Sequence, residues 1–88
     1  MARRAAAGAR VLGMELRRLR ERANLSRERV GAVFGWSTTT VSRLERGRRT
    51  DTTPEEVAAL LATMGVVGAE RDRAMLMAFG VPPPHRQG

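Results

Sequence analysis

Apolar residues recur along this chain at helical spacing, and nowhere at the alternating spacing of a strand. Leu12, Leu16, Leu19 and Ala23 lie four, three and four residues apart, which places them on one face of a helix. Arg17, Arg18, Glu21 and Arg22 fall on its other faces, and Asn24, which tolerates left-handed backbone, is positioned to end it. A second helix over 26–34 is capped by Ser26, stopped by Gly35, and given an apolar face by Val30, Val33 and Phe34. A third begins at Ser37 and ends at Gly47, with Val41 and Leu44 as its buried side. Thr53 caps a fourth, with Pro54 at its first position, Glu55 and Glu56 in its first turn, and Val57, Leu60, Leu61 and Met64 as its stripe. After a break over 65–68, a fifth helix over about 69–79 is expected to bury Met75, Leu76 and Phe79. The pattern predicts an all-α domain of five short helices joined by tight turns.

Residues 1–9 are rich in Ala, Arg and Gly without apolar periodicity and read as a flexible basic arm. Residues 10–80 form the domain, and the Pro-rich residues 81–88 read as a disordered tail. Eighty-eight residues make one small domain, with no room for a separate catalytic one. The chain has no cysteine, which removes disulfides and Cys-based zinc sites and fits a reducing cytoplasm. Its apolar runs are too short to cross a bilayer, and its basic start is not followed by a hydrophobic signal region. The expected location is cytoplasmic, on the nucleoid.

Charge changes the picture. Sixteen basic against nine acidic residues give a net +7, and all sixteen are arginine. A GC-rich genome accounts for the missing lysine but not for the excess of positive charge, which points to a polyanionic partner. Arginine also suits bidentate contact with phosphate and guanine.

The second and third helices, separated by a turn on Gly35, have helix-turn-helix spacing. Glycine inside a helix costs about 1 kcal/mol relative to alanine, so Gly31 is expected where another helix crosses closely. With Val41 and Leu44 anchoring the third helix, Thr38, Thr39, Ser42 and Arg43 are left facing away from the core.

These residues carry a resemblance. Leu16-x-x-Leu19-Arg20, Leu25-Ser26, Gly35-x-Ser37 and Val41-Ser42-x-Leu44-Glu45-x-Gly47 resemble the phage-repressor type (Cro/C1, XRE-like) of helix-turn-helix domain, with an actinobacterial flavour. The resemblance is tight over about a third of the chain and loose over most of it. It implies a five-helix, lambda-repressor-like fold that binds double-stranded DNA, with the helix 37–46 in the major groove. Thr38, Thr39 and Arg43 match base-contacting positions, and Ser42 joins them on the same face. Arg27 matches a backbone-contacting position that is usually Gln. Ser37, Arg46, Arg48 and Arg49 lie where phosphate is gripped. Arg20 and Glu45 match a structural ion pair between the first and third helices. Trp36 and Gly31 depart from the usual small aliphatic residue and the usual Ala.

Blander readings stand beside these. Thr38 to Thr40 are also tolerable helix-start residues, Arg43 a solvated cation, and Arg46, Arg48 and Arg49 a solubilising charge run. Trp36 packs on the core or awaits a partner. Arg3, Arg4 and Arg10 suit a minor-groove arm or a tail with incidental charge. Met64, Met75 and Met77 read as core fillers, with Met77 also open to solvent. His85 stands alone in the tail, so no metal site is expected, and no cofactor. Glu55 and Glu56 point in different directions on a helix, and no nucleophile–base pair is present, so no enzyme is expected. The reading is a sequence-specific transcriptional regulator, a repressor, binding as a homodimer on a palindromic site. The alternative is a protein-interaction module, an antitoxin or adaptor, and a C-terminal domain beyond residue 84 is left open.

Overall fold

The computed structural model describes residues 2–80, with side chains from residue 8 onward. Five helices follow in order: α1 Ala2–Arg22, α2 Arg27–Gly31, α3 Thr38–Glu45, α4 Pro54–Thr63 and α5 Gly68–Phe79. No strand occurs among the described residues.

The helix ends are local devices. Ser26 Oγ accepts from the Arg29 N–H, Ser37 Oγ from Thr40 N–H and Thr53 Oγ1 from Glu56 N–H, each satisfying a donor that a helix start leaves orphaned. Glu56 returns the bond by accepting from the Thr53 N–H, which completes a capping box. Four C-terminal ends share one closure. Asn24, Gly35, Gly47 and Gly65 have left-handed backbone, and the N–H of the next residue reaches back to the carbonyls of Arg20, Gly31, Arg43 and Leu61 respectively. This closure explains why regular α2 stops at Gly31 although the helix was expected to reach Phe34. Its final turn tightens, with Val33, Phe34 and Gly35 each donating to the carbonyl three residues back.

Helix α1 packs on α3 and α5, α2 on α3, and α4 on α5. Leu12, Leu16, Leu19, Val30, Leu44, Val57, Leu60, Leu61 and Met64 are buried together, as their spacing predicts. The residue just after each left-handed closure is usually apolar and packed inward. Val66 is such a residue, fully buried, within a stretch that reads from sequence as a mere break. Leu25 and Trp36 are two more, half-buried against the core. Arg48 holds the same position after α3 and is exposed.

Three expectations need correction. Leu76 is 45% exposed and Phe79 only half-buried, while Ala74 lies buried beside Met75. The α5 face that meets the core is centred on 74 and 75, which leaves Leu76 turned toward solvent. Val33 is exposed because the tightened end of α2 rotates it off the core face. Residues 2–9, expected as a flexible arm, belong to α1. Alanine is the strongest helix former, and extending an existing helix avoids the nucleation penalty. Ala9 is buried at the end of the Leu12 stripe. The side chains of Arg3 and Arg4, and the whole of 81–88 with His85, lie outside the described residues. No described helix is long and apolar enough to cross a membrane, and no described group of side chains could hold a metal ion.

Candidate nucleic-acid interface

Helix α3 is fixed from three directions. Val41 and Leu44 bury its inner side almost completely. At its C-terminal end Glu45, 6% exposed, accepts from Arg20 Nε at 2.5 Å and from Arg20 Nη2 at 3.2 Å. Arg20, 7% exposed, also donates to the Leu25 carbonyl at 2.8 Å, so the guanidinium ties α1 to α3 and to the turn before α2. The expected structural ion pair is therefore in place. The third constraint is backbone contact. A Cβ on Gly47 would lie 2.6 Å from the Arg10 Cα, and a Cβ on Gly31 would lie 2.7 Å from the Trp36 carbonyl oxygen and 3.1 Å from a Val41 methyl. Gly31, the last residue of regular α2 although its position in sequence suggests mid-helix, thus marks the close approach expected of it.

With its inner side fixed, α3 turns Thr38, Thr39 and Arg43 to solvent, and leaves Ser42 half-buried at the edge of that face. Ser37 Oγ is engaged by the cap, 3.3 Å from the Thr40 N–H and 3.3 Å from the Thr40 hydroxyl. Arg43, Arg46 and Arg48 are exposed and make no ion pair with any described residue.

Two arginines grouped with them by sequence are placed differently. Arg27 donates from Nε to Glu45 Oε1 at 3.0 Å, joining the buried pair, while its side chain as a whole stays 39% exposed. Arg49 is drawn inward. Its Nη1 donates to Thr52 Oγ1 at 3.1 Å and to Glu56 Oε1 at 3.2 Å, and its Nε lies 3.7 Å from Asp51 Oδ1. Its guanidinium carbon sits 4.4 Å above the Trp36 ring, and that ring is 4.5 Å from the Phe34 ring. The Thr53 backbone N–H, followed by Arg49, holds the Glu56 carboxyl below its usual range.

Between the start of α3 and the α3–α4 loop these groups frame a cleft of about 580 Å³. Trp36, Thr40, Arg43, Arg48, Arg49, Thr50 and Asp51 line it. Sequence reading missed Thr50 and Asp51, and it treated Trp36 and Arg49 separately. Arginine beside an aromatic was the only available signal, and the two are far apart along the chain.

The family model described as a helix-turn-helix domain matches residues 11–74, well over half of the chain. Comparison with curated proteins and with solved structures returns no match.

Proposed function

The chain belongs to the helix-turn-helix domain family, and from that premise we propose that it is a sequence-specific transcriptional regulator, a repressor, that reads the major groove with α3. One observation carries this reading most. Val41 and Leu44 anchor α3 from one side, so Thr38, Thr39 and Arg43 present a polar, hydrogen-bonding face on a short rigid helix. Arginine pairs bidentately with guanine O6 and N7, and threonine offers a hydroxyl and a methyl for thymine. Ser42 borders that face and contacts bases at its edge. Arg46 and Arg48, with the start of α3 at Ser37, supply phosphate contacts that add affinity without sequence information. Arg27, half-committed to Glu45, turns its remaining nitrogens to phosphate. The net charge of +7 favours the approach to DNA. Two copies would read half-sites about 34–36 Å apart on a palindromic duplex, and the protein would act on the nucleoid.

Selection from a random duplex pool, then binding of the selected duplex at two salt concentrations, tests this. Arg43→Ala should relax preference at one base position, at a cost of about 1–3 kcal/mol there. Enrichment of no sequence, with residual binding lost near physiological salt, would favour a protein-interaction module instead. The observation behind that second reading is the exposure of Val67, Leu76 and Met77 at and near α5.

A further inference from the structure

We propose that Arg49 is not a phosphate ligand but a positioning residue, and that the cleft it walls seats one DNA backbone phosphate on Arg48. This rests on the DNA-binding reading of α3 and assigns separate jobs within one basic cluster.

Arg49 is already neutralised before any nucleic acid arrives. Glu56 accepts from it at 3.2 Å and Asp51 lies 3.7 Å away, so two carboxylates face one guanidinium. The Trp36 ring at 4.4 Å and Thr52 engage it further, and its side chain is left 21% exposed. The side chain therefore ties three segments together: the α2–α3 turn through Trp36, the α3–α4 loop through Asp51 and Thr52, and the start of α4 through Glu56. A planar guanidinium stacks and forks at once, and an ammonium does not.

Arg48 is the counterpart. It occupies the position after the left-handed closure of α3, where Leu25, Trp36 and Val66 at the other closures pack inward. An arginine there serves no core. Its backbone N–H is locked to the Arg43 carbonyl at 2.8 Å, which fixes where the side chain leaves the loop. Arg43 and Arg48 both line the cleft without a carboxylate partner among the described residues, and Thr40 and Thr50 add hydroxyls. An anion of phosphodiester size meets the uncompensated Arg48 there, with Arg43 at the edge toward the reading face, while Arg49 is held by its own carboxylates and offers no free charge.

Counterion release separates the two roles. A cation that neutralises a phosphate contributes about 0.9 to the slope of log K against log salt on duplex DNA, and a cation already paired within the protein contributes little. The experiment measures binding of the selected duplex (or a mixed-sequence duplex) across salt concentrations for wild type, Arg48→Gln, Arg49→Gln and Arg49→Lys. Circular dichroism confirms folding of each variant, and emission from Trp36, the chain's single tryptophan, reports the stack. Arg48→Gln should lower the slope by about 0.9 and leave Trp36 emission of the free protein unchanged. Arg49→Gln should weaken binding several-fold at unchanged slope and shift that emission. Arg49→Lys, which keeps the charge and the fold, should fail to restore affinity. A slope loss in Arg49→Gln matching that of Arg48→Gln, or full rescue by lysine, would overturn the proposal. So would an unchanged slope in Arg48→Gln. If wild type binds no duplex at any salt, the DNA reading falls and this assignment with it; the two failures are thus distinct.

Discussion

Gly13 on α1 lies directly against the carbonyl of Leu44 on α3. A Cβ there would sit 2.6 Å from the Glu45 carbonyl oxygen and closer still to that of Leu44. Both contacts are to backbone, which cannot swing aside as a side chain does. Gly13→Ala should therefore destabilise the fold despite alanine's better helix propensity, by about 1–3 kcal/mol from overpacking. Gly8, on the same helix, has nothing within 4 Å of its Cβ position, and Gly8→Ala should stabilise by about 0.4–1 kcal/mol. Urea unfolding of the two variants checks both signs, and a stabilised Gly13→Ala would contradict the close α1–α3 contact.

The buried Arg20–Glu45 pair predicts an asymmetric response to substitution. Arg20→Met strands a carboxylate that is 6% exposed, with Arg27 as its remaining partner. Breaking a buried pair on one side costs about 3–5 kcal/mol, and Arg27 should keep the loss at or below the low end. Replacing both residues, as Arg20→Met with Glu45→Leu, should recover much of that loss. A double-mutant cycle on unfolding free energies measures the coupling, and a double variant less stable than either single one would refute this account.

Three carboxyls set the response to acid. Arg18 beside Glu15 and Arg22 beside Glu70 hold those carboxyls below their usual range, and the Thr53 N–H does the same for Glu56. A folded pKa below the unfolded one stabilises fully above the ordinary glutamate value of about 4.3 and is lost as pH falls through the folded value. The thermal midpoint should thus be level near neutrality and fall with acidification below about pH 4.3. Part of that fall should vanish in high salt, because the Arg22–Glu70 link between α1 and α5 is solvent-screened. A midpoint that rises on acidification would rule this out.

The corrected face of α5 gives a direct contrast. Leu76→Lys should change unfolding free energy by no more than about 0.5 kcal/mol, as for an exposed site. Met75→Ala should cost about 2–5 kcal/mol, the range for a buried methionine. Chemical denaturation of both variants decides between the face observed and the one that apolar spacing alone predicts.

Local sequence determined the helices and how they end. Ser26, Ser37 and Thr53 cap donors three residues away, and Gly35, Gly47 and Gly65 close helices over five or six residues. Contacts that short are written in neighbouring residues, and so the helix-turn-helix was legible. So was the inner side of α3, because its periodicity alone separates Val41 and Leu44 from Thr38, Thr39 and Arg43. Only the tertiary structure decided which arginines are already engaged. Arg27 meets a carboxylate eighteen residues away, and Arg49, in the α3–α4 loop, meets a tryptophan that precedes α3. A charge takes its partner from whatever folding brings within a few ångströms, and Coulomb energy depends on that distance and on local burial, not on separation along the chain. One run of like charges, uniform in sequence, thus divides into Arg48 open to solvent and Arg49 locked in the scaffold.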